Sequence, residues 1–156
     1  MQKNKHLVII AILMLIFAVI LLITKKNRTI LQDHQITKVQ IGNQEIKVEV
    51  VNSSSSITKG LSGRAQIGAD GMLFIFPNQR QVTFWMKEMK FALDLIWINN
   101  NQISEITTNV PAPKENTPIN LLPTYQPQSQ INMVLEVTAG TAQKWHLKPG
   151  DKFVIR

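Results

Sequence analysis

Seventeen consecutive apolar residues, LVIIAILMLIFAVILLI from Leu7 to Ile23, constrain this chain more than any other feature. As a helix rising about 1.5 Å per residue, the run reaches roughly 26 Å, close to the thickness of a bilayer's hydrocarbon core. A helix on a globular surface keeps a polar face, whereas this run has no charged or hydrogen-bonding side chain. It is therefore expected to form one N-terminal transmembrane helix, with the lipid bilayer as the partner of Leu7 to Ile23. A cleavable export signal would carry a shorter apolar core and a small-x-small site; this run ends in ITKKNR, so an uncleaved signal anchor is expected. The absence of Cys removes a lipoprotein attachment and says nothing about the redox compartment. Lys3 and Lys5 before the run nearly balance Lys25, Lys26 and Arg28 after it. The expected arrangement is single-pass in the cell membrane with the soluble domain extracytoplasmic.

A formal net charge of +7 invites a nucleic-acid reading, but five of the 17 basic residues flank the apolar run. The remaining 12 face all 10 acidic residues, so the rest of the chain is nearly neutral. Those bases are scattered and no nucleic-acid motif accompanies them, so no nucleic-acid partner is expected. The basicity belongs to the membrane flanks.

The chain divides into an anchor with basic flanks (1–28), a polar linker (29–35) and a β-rich domain (36–156). ITKVQI, Gly42-Asn43 and EIKVEVV read as a β-hairpin, with Ile46, Val48 and Val50 on one face. The serines of SSSSITKG suit the N-cap of a short helical turn ending near Gly60 or Gly63, in preference to a flexible linker. GMLFIFP, bounded by Asp70-Gly71 and Pro77-Asn78, reads as a buried strand.

FWMKEMKFALDLIWI, Phe84 to Ile98, supports two periodicities. As strands, Val82, Phe84 and Met86 share a face, as do Leu93, Leu95 and Trp97; as a helix, Trp85, Met89, Ala92 and Ile96 align. Enrichment in Phe, Trp and Ile, with an NNN turn at Asn99 to Asn101, favours two strands followed by a third, QISEITTNV. Pro111 to Gln130 holds five of the seven prolines and is expected to lack regular structure, with Leu121, Leu122 and Tyr125 tying it down over an edge or pocket. A strand MVLEVTA, a helical turn GTAQKWHL and a closing PGDKFVIR complete the chain.

GLSGR, GMLFIFP, FWMKEMKFALDLIWI, MVLEVTAG and LKPGD, in this order, resemble the domain of unknown function 192 family (uncharacterised protein family 0127) over about residues 36 to 156. The resemblance implies a mainly β (α+β), small barrel-like domain with short helical pieces, and no particular reaction. Gly60, Arg64, Gly71, Lys87, Asp94, Glu136, Gly140 and Asp151 match the family's typical polar and small residues. The chain departs from it at Glu88 and Ala92, where Asn and Pro are usual.

Asp94 lies in an apolar strand pattern, where a buried carboxylate requires a partner, and Arg64 or Lys87 could supply it. The same residues admit a sharper reading: a candidate binding cluster of Arg64, Trp85, Lys87 and Asp94, with the cations taking a small anionic or envelope-derived ligand and Trp85 as an aromatic wall. No catalytic residue is assigned. His6, His34 and His146 give no triad or metal spacing, so neither a metal nor a cofactor is expected. The three Trp, the Phe residues of the β-rich domain and Met72, Met86, Met89 and Met133 read as core. The chain is thus expected to be a membrane-anchored, non-catalytic ligand-binding or accessory module of the cell envelope. The alternatives are an envelope hydrolase using carboxylates (Asp94 with Glu136 or Asp70) and Arg64, and a structural protein–protein interaction domain.

Overall fold

The computed structural model describes residues 12–15 and 31–156. The apolar run Leu7 to Ile23 lies outside the described residues except for 12–15, which are helical and exposed. Among the described residues no helix is long and apolar enough to cross a membrane.

Within 31–156, local turn chemistry sets the pairing. Strands β1 (Ile36–Ile41) and β2 (Gln44–Val51) form the expected hairpin, turning at Gly42 with φ of 52°. Helix α1 (Ser54–Lys59) starts at Ser53 with a reciprocal cap between Ser53 and Ser56. Asp33 accepts from the hydroxyls of Ser53 (2.8 Å) and Ser56 (2.7 Å) and from the Asn52 N–H (3.0 Å), so the serine run is a capping device. The helix stops at Gly60, whose φ of 47° and closeness to the Phe74 ring both favour glycine.

Strand β3 (Gly71–Arg80) runs parallel to β2 and continues three residues beyond the GMLFIFP segment. The stretch from Phe84 onward gives two strands, as its β-rich composition implies. The first, β4 (Phe84–Trp85), is shorter than the alternation suggested, because a turn from Met86 to Met89 follows, with Glu88 at φ of 56°. Strands β5 (Leu93–Asn99) and β6 (Gln102–Val110) form a hairpin through Asn100 and Asn101, both left-handed. The proline-rich segment is more ordered than expected. It contains a 3-10 turn at Ile119–Leu121 and a short strand, β7 (Thr124–Tyr125), paired with β4. Tyr125 is half-buried as a cover, but Leu121 is exposed, because the turn points it outward. Strand β8 (Ile131–Thr138), helix α2 (Thr141–Lys144) and β9 (Phe153–Ile155) follow.

The main sheet has the order β6-β5-β8-β3-β2-β1-β9. Its outer strands meet at one end, where Gln102 bridges Lys152, Ile103 N–H donates to Asp151 and Phe153 N–H donates to Asn101. The result is a curled half-barrel. One apolar cluster draws on every strand of this sheet, including Val39, Ile41, Leu73, Ile96, Leu135 and Phe153, and fills the curl. The other takes the opposite faces of β3, β5 and β8 and is covered by Leu61, Val82, Phe84, Met86 and Met89. Leu93, Leu95 and Trp97 do share a face, and β5 is buried on both sides.

Candidate functional site

The four residues singled out by sequence occupy three different places. Asp94 is fully buried in β5, with Oδ1 accepting from Asn109 N–H (2.8 Å) and Oδ2 from Ala142 N–H (2.9 Å). The expected pairing with Arg64 or Lys87 is therefore not what satisfies it. Asn109 sits at φ of 55° beside an irregularity in the β5–β6 register, and Ala142 opens α2, so one carboxylate ties two backbone segments to the sheet.

Arg64 makes a two-pronged contact with Glu49, Nη1 to Oε2 at 2.6 Å and Nη2 to Oε1 at 2.9 Å. Glu49 also meets His34 Nδ1 at 2.8 Å. The Arg64 hydrogen bonds, with help from His34, hold the Glu49 carboxyl below its ordinary range, and Glu49 in turn raises Arg64. Arg64 thereby fastens the loop after α1 to β2. Trp85 and Lys87 do stay together, with Lys87 Nζ at 5.8 Å from the centre of a half-exposed Trp85 ring and 3.8 Å from Glu88. Lys87 lines a shallow cleft with Ser54, Ser55 and Thr58.

A different acid occupies the more enclosed position. Glu136 lies in the middle of β8, opposite Met72 on β3 and Leu95 on β5, and is only 6% exposed. Its side chain emerges on the face covered by Leu61 and Met89, at the base of a cleft of about 480 Å³. Phe74 and Phe76 share that base, Gly60, Leu61, Phe84 and Met89 form walls, and exposed Lys59, Arg80 and Trp85 stand at the mouth. Phe84 is fixed by edge-on packing against Phe74 (5.0 Å) and Trp97 (5.6 Å). The opposite wall is stitched to the turn after β4 by Gly63 N–H donating to Glu88 O (3.0 Å) and Ser62 Oγ donating to Lys87 O (2.8 Å).

No hydrogen bond or ion pair reaches the Glu136 carboxyl from any described residue, and burial alone pushes it up to about 8. At neutral pH it is mostly protonated in the empty cleft, able to donate one hydrogen bond or to ionise when a cation arrives. The sequence signal was present: a single acid in MVLEVTA, on the same strand face as Val134. It has the same form as the signal that pointed to Asp94. Among the described residues no group of three or more His, Cys, Asp or Glu could hold a metal ion.

Fold and site together define a class: among the described residues, a small half-barrel β domain with one parallel strand pair, a helical turn over one face and a buried, unpaired acid, Glu136, beneath it. The chain belongs to the domain of unknown function 192 family, DUF192, described as uncharacterized ACR, which matches residues 37–155. No curated protein matches it. Among solved structures it is similar to a Sinorhizobium meliloti 1021 protein provisionally described as a transcription regulator. The identity is 27%, the TM-score is 0.69, and the match covers 80% of this chain and 97% of that one. It is also similar to a Novosphingobium aromaticivorans DSM 12444 protein of unknown function, with 26% identity, a TM-score of 0.67 and coverage of 77% and 85%.

Proposed function

We propose that the domain is a non-catalytic binding module whose ligand enters the cleft above Glu136. The observation that carries this reading is a buried carboxyl with no partner among the described residues, directed into an aromatic-walled opening of about 480 Å³. Such a group costs stability wherever it serves only as packing. Cleft size and lining suit a small molecule with an apolar body and a polar end. Hydrolysis by paired carboxylates with Arg64 finds less support. Among the described residues Glu136 is the one acid lining this cleft, Asp94 is committed to two N–H groups, and Arg64 to Glu49. The interaction-domain reading keeps one favourable feature: β6 is an outer strand held to the segment before β9 only near its start, at Gln102 and Ile103, among the described residues.

The apolar run Leu7 to Ile23 supports a membrane anchor, with the domain held on the extracytoplasmic side as an accessory of the cell envelope. The regulator description of the S. meliloti protein is not carried over, because positions 29–156 hold 12 basic against 10 acidic residues without clustering. Two experiments test this reading. Amide chemical-shift mapping with a diverse panel of small molecules should move Leu61, Phe74, Phe84, Met89 and Glu136 together; shifts confined to other surfaces would refute it. A reporter active only outside the cytoplasm, fused after Arg156, should be active; a silent fusion overturns the placement.

A further inference from the structure

Building on the reading of the cleft as a binding site, we propose that its ligand is a small zwitterion. An ammonium group meets Glu136 at the base, an apolar spacer crosses the aromatic walls, and an anionic group meets Arg80 and Lys59 at the mouth. The cleft has a polarity of its own. Its one acid is 6% exposed, while both of its cations are exposed at the opening.

At the base, the largely buried Glu136 carboxyl has no partner among the described residues, and a cation satisfies it better than a neutral donor. Phe74, Phe76 and Phe84 surround the path to it, and aromatic faces attract cations. At the mouth, neither Lys59 nor Arg80 pairs with an acid among the described residues. The Arg80 guanidinium carbon lies 6.0 Å from the centre of the Phe76 ring, which keeps it at the rim. A simple anion would engage Lys59 and Arg80 at the mouth and leave the Glu136 charge unused, and a simple cation would have to pass two like charges. A molecule with both charges, cation leading, satisfies each end.

Among the described residues the charged groups that face Glu136 across the cleft are Lys59, from α1, and Arg80, from β3, and no His and no second acid lines it. Burial keeps Glu136 protonated when the cleft is empty, so ammonium binding near pH 7 displaces a proton into solution. A purely structural Glu136 would release none.

The test is calorimetry on the purified full-length chain at pH 7 in buffers of differing ionisation enthalpy. The probes are 4-aminobutanoate, 6-aminohexanoate, hexylammonium, hexanoate and hexanol. An amino acid probe should bind tightest, hexylammonium next, and both should release protons. Glu136→Gln should weaken the ammonium probes roughly 10- to 100-fold and abolish proton release, leaving hexanol unchanged. Arg80→Ala should weaken the amino acids and spare hexylammonium. Equal binding of hexanol and the ammonium probes, or an inert Glu136→Gln, overturns the zwitterion assignment. If no charged probe binds while the broad panel still moves the cleft residues, the assignment fails and the binding reading stands; if neither occurs, both fail.

Discussion

Replacing Glu136 by Gln should change how stability depends on pH in a direction opposite to most acid substitutions. The folded-state carboxyl titrates at about 8, against an ordinary value of 4.5, because burial disfavours its charge. Between these values the folded chain holds a proton that the unfolded chain has released. Stability attached to this group is complete below pH 4.5 and is lost as pH rises toward 8. At roughly 1.4 kcal/mol per unit, the total over that window is on the order of 5 kcal/mol. Gln has nearly the same shape and cannot ionise, so the variant lacks this slope. Urea unfolding of both proteins at intervals from pH 5 to 8.5 isolates the contribution, since groups common to both cancel in the difference. The wild type should lose stability steadily relative to the variant, with the gap levelling off above pH 8. A pH-independent difference would show that Glu136 is solvated or paired in the folded state and would refute the argument from burial.

Other substitutions probe the parts that build the cleft, each read by urea or thermal unfolding. Asp94→Ala leaves the Asn109 and Ala142 N–H groups without their acceptor and should cost on the order of 3–5 kcal/mol; a loss below about 1 kcal/mol would mean that water replaces the carboxylate. Gly71→Ala places a methyl group 2.7 Å from the Glu136 backbone oxygen and should cost about 1–3 kcal/mol by forcing β3 and β8 apart. Glu88→Asn should stabilise by about 0.5–1 kcal/mol, because position 88 is left-handed and Asn tolerates that conformation better; no gain would show that the Lys87 contact offsets the strain.

Features set within a few residues were legible in the sequence. Gly42-Asn43 and the asparagines after Ile98 fix hairpins through backbone conformation, and Ser53 to Ser56 carry their own cap. Glu88 is instructive in a different way. The family resemblance marked it as a departure from Asn, and its positive φ supplies the physical reason. Partners far apart along the chain were not legible. Asp94 was paired in expectation with Arg64 or Lys87 because charge complementarity is visible in sequence, whereas its actual partners are main-chain groups 15 and 48 residues away. Strand alternation shows which face Glu136 occupies. It cannot show that Leu61 and Met89 would cover that face while supplying no partner. Trp85, expected beside Asp94 as an aromatic wall, instead lines a cleft with Glu136.

The most direct measurement is the ¹³C carboxyl titration of Glu136 by NMR, on the purified full-length chain, with and without saturating 6-aminohexanoate. The predicted midpoint is about 8 in the empty cleft, falling well below neutrality when the ligand's ammonium group is bound. A midpoint near 4.5 without ligand, or one near 8 that bound ligand leaves unchanged, would contradict the account.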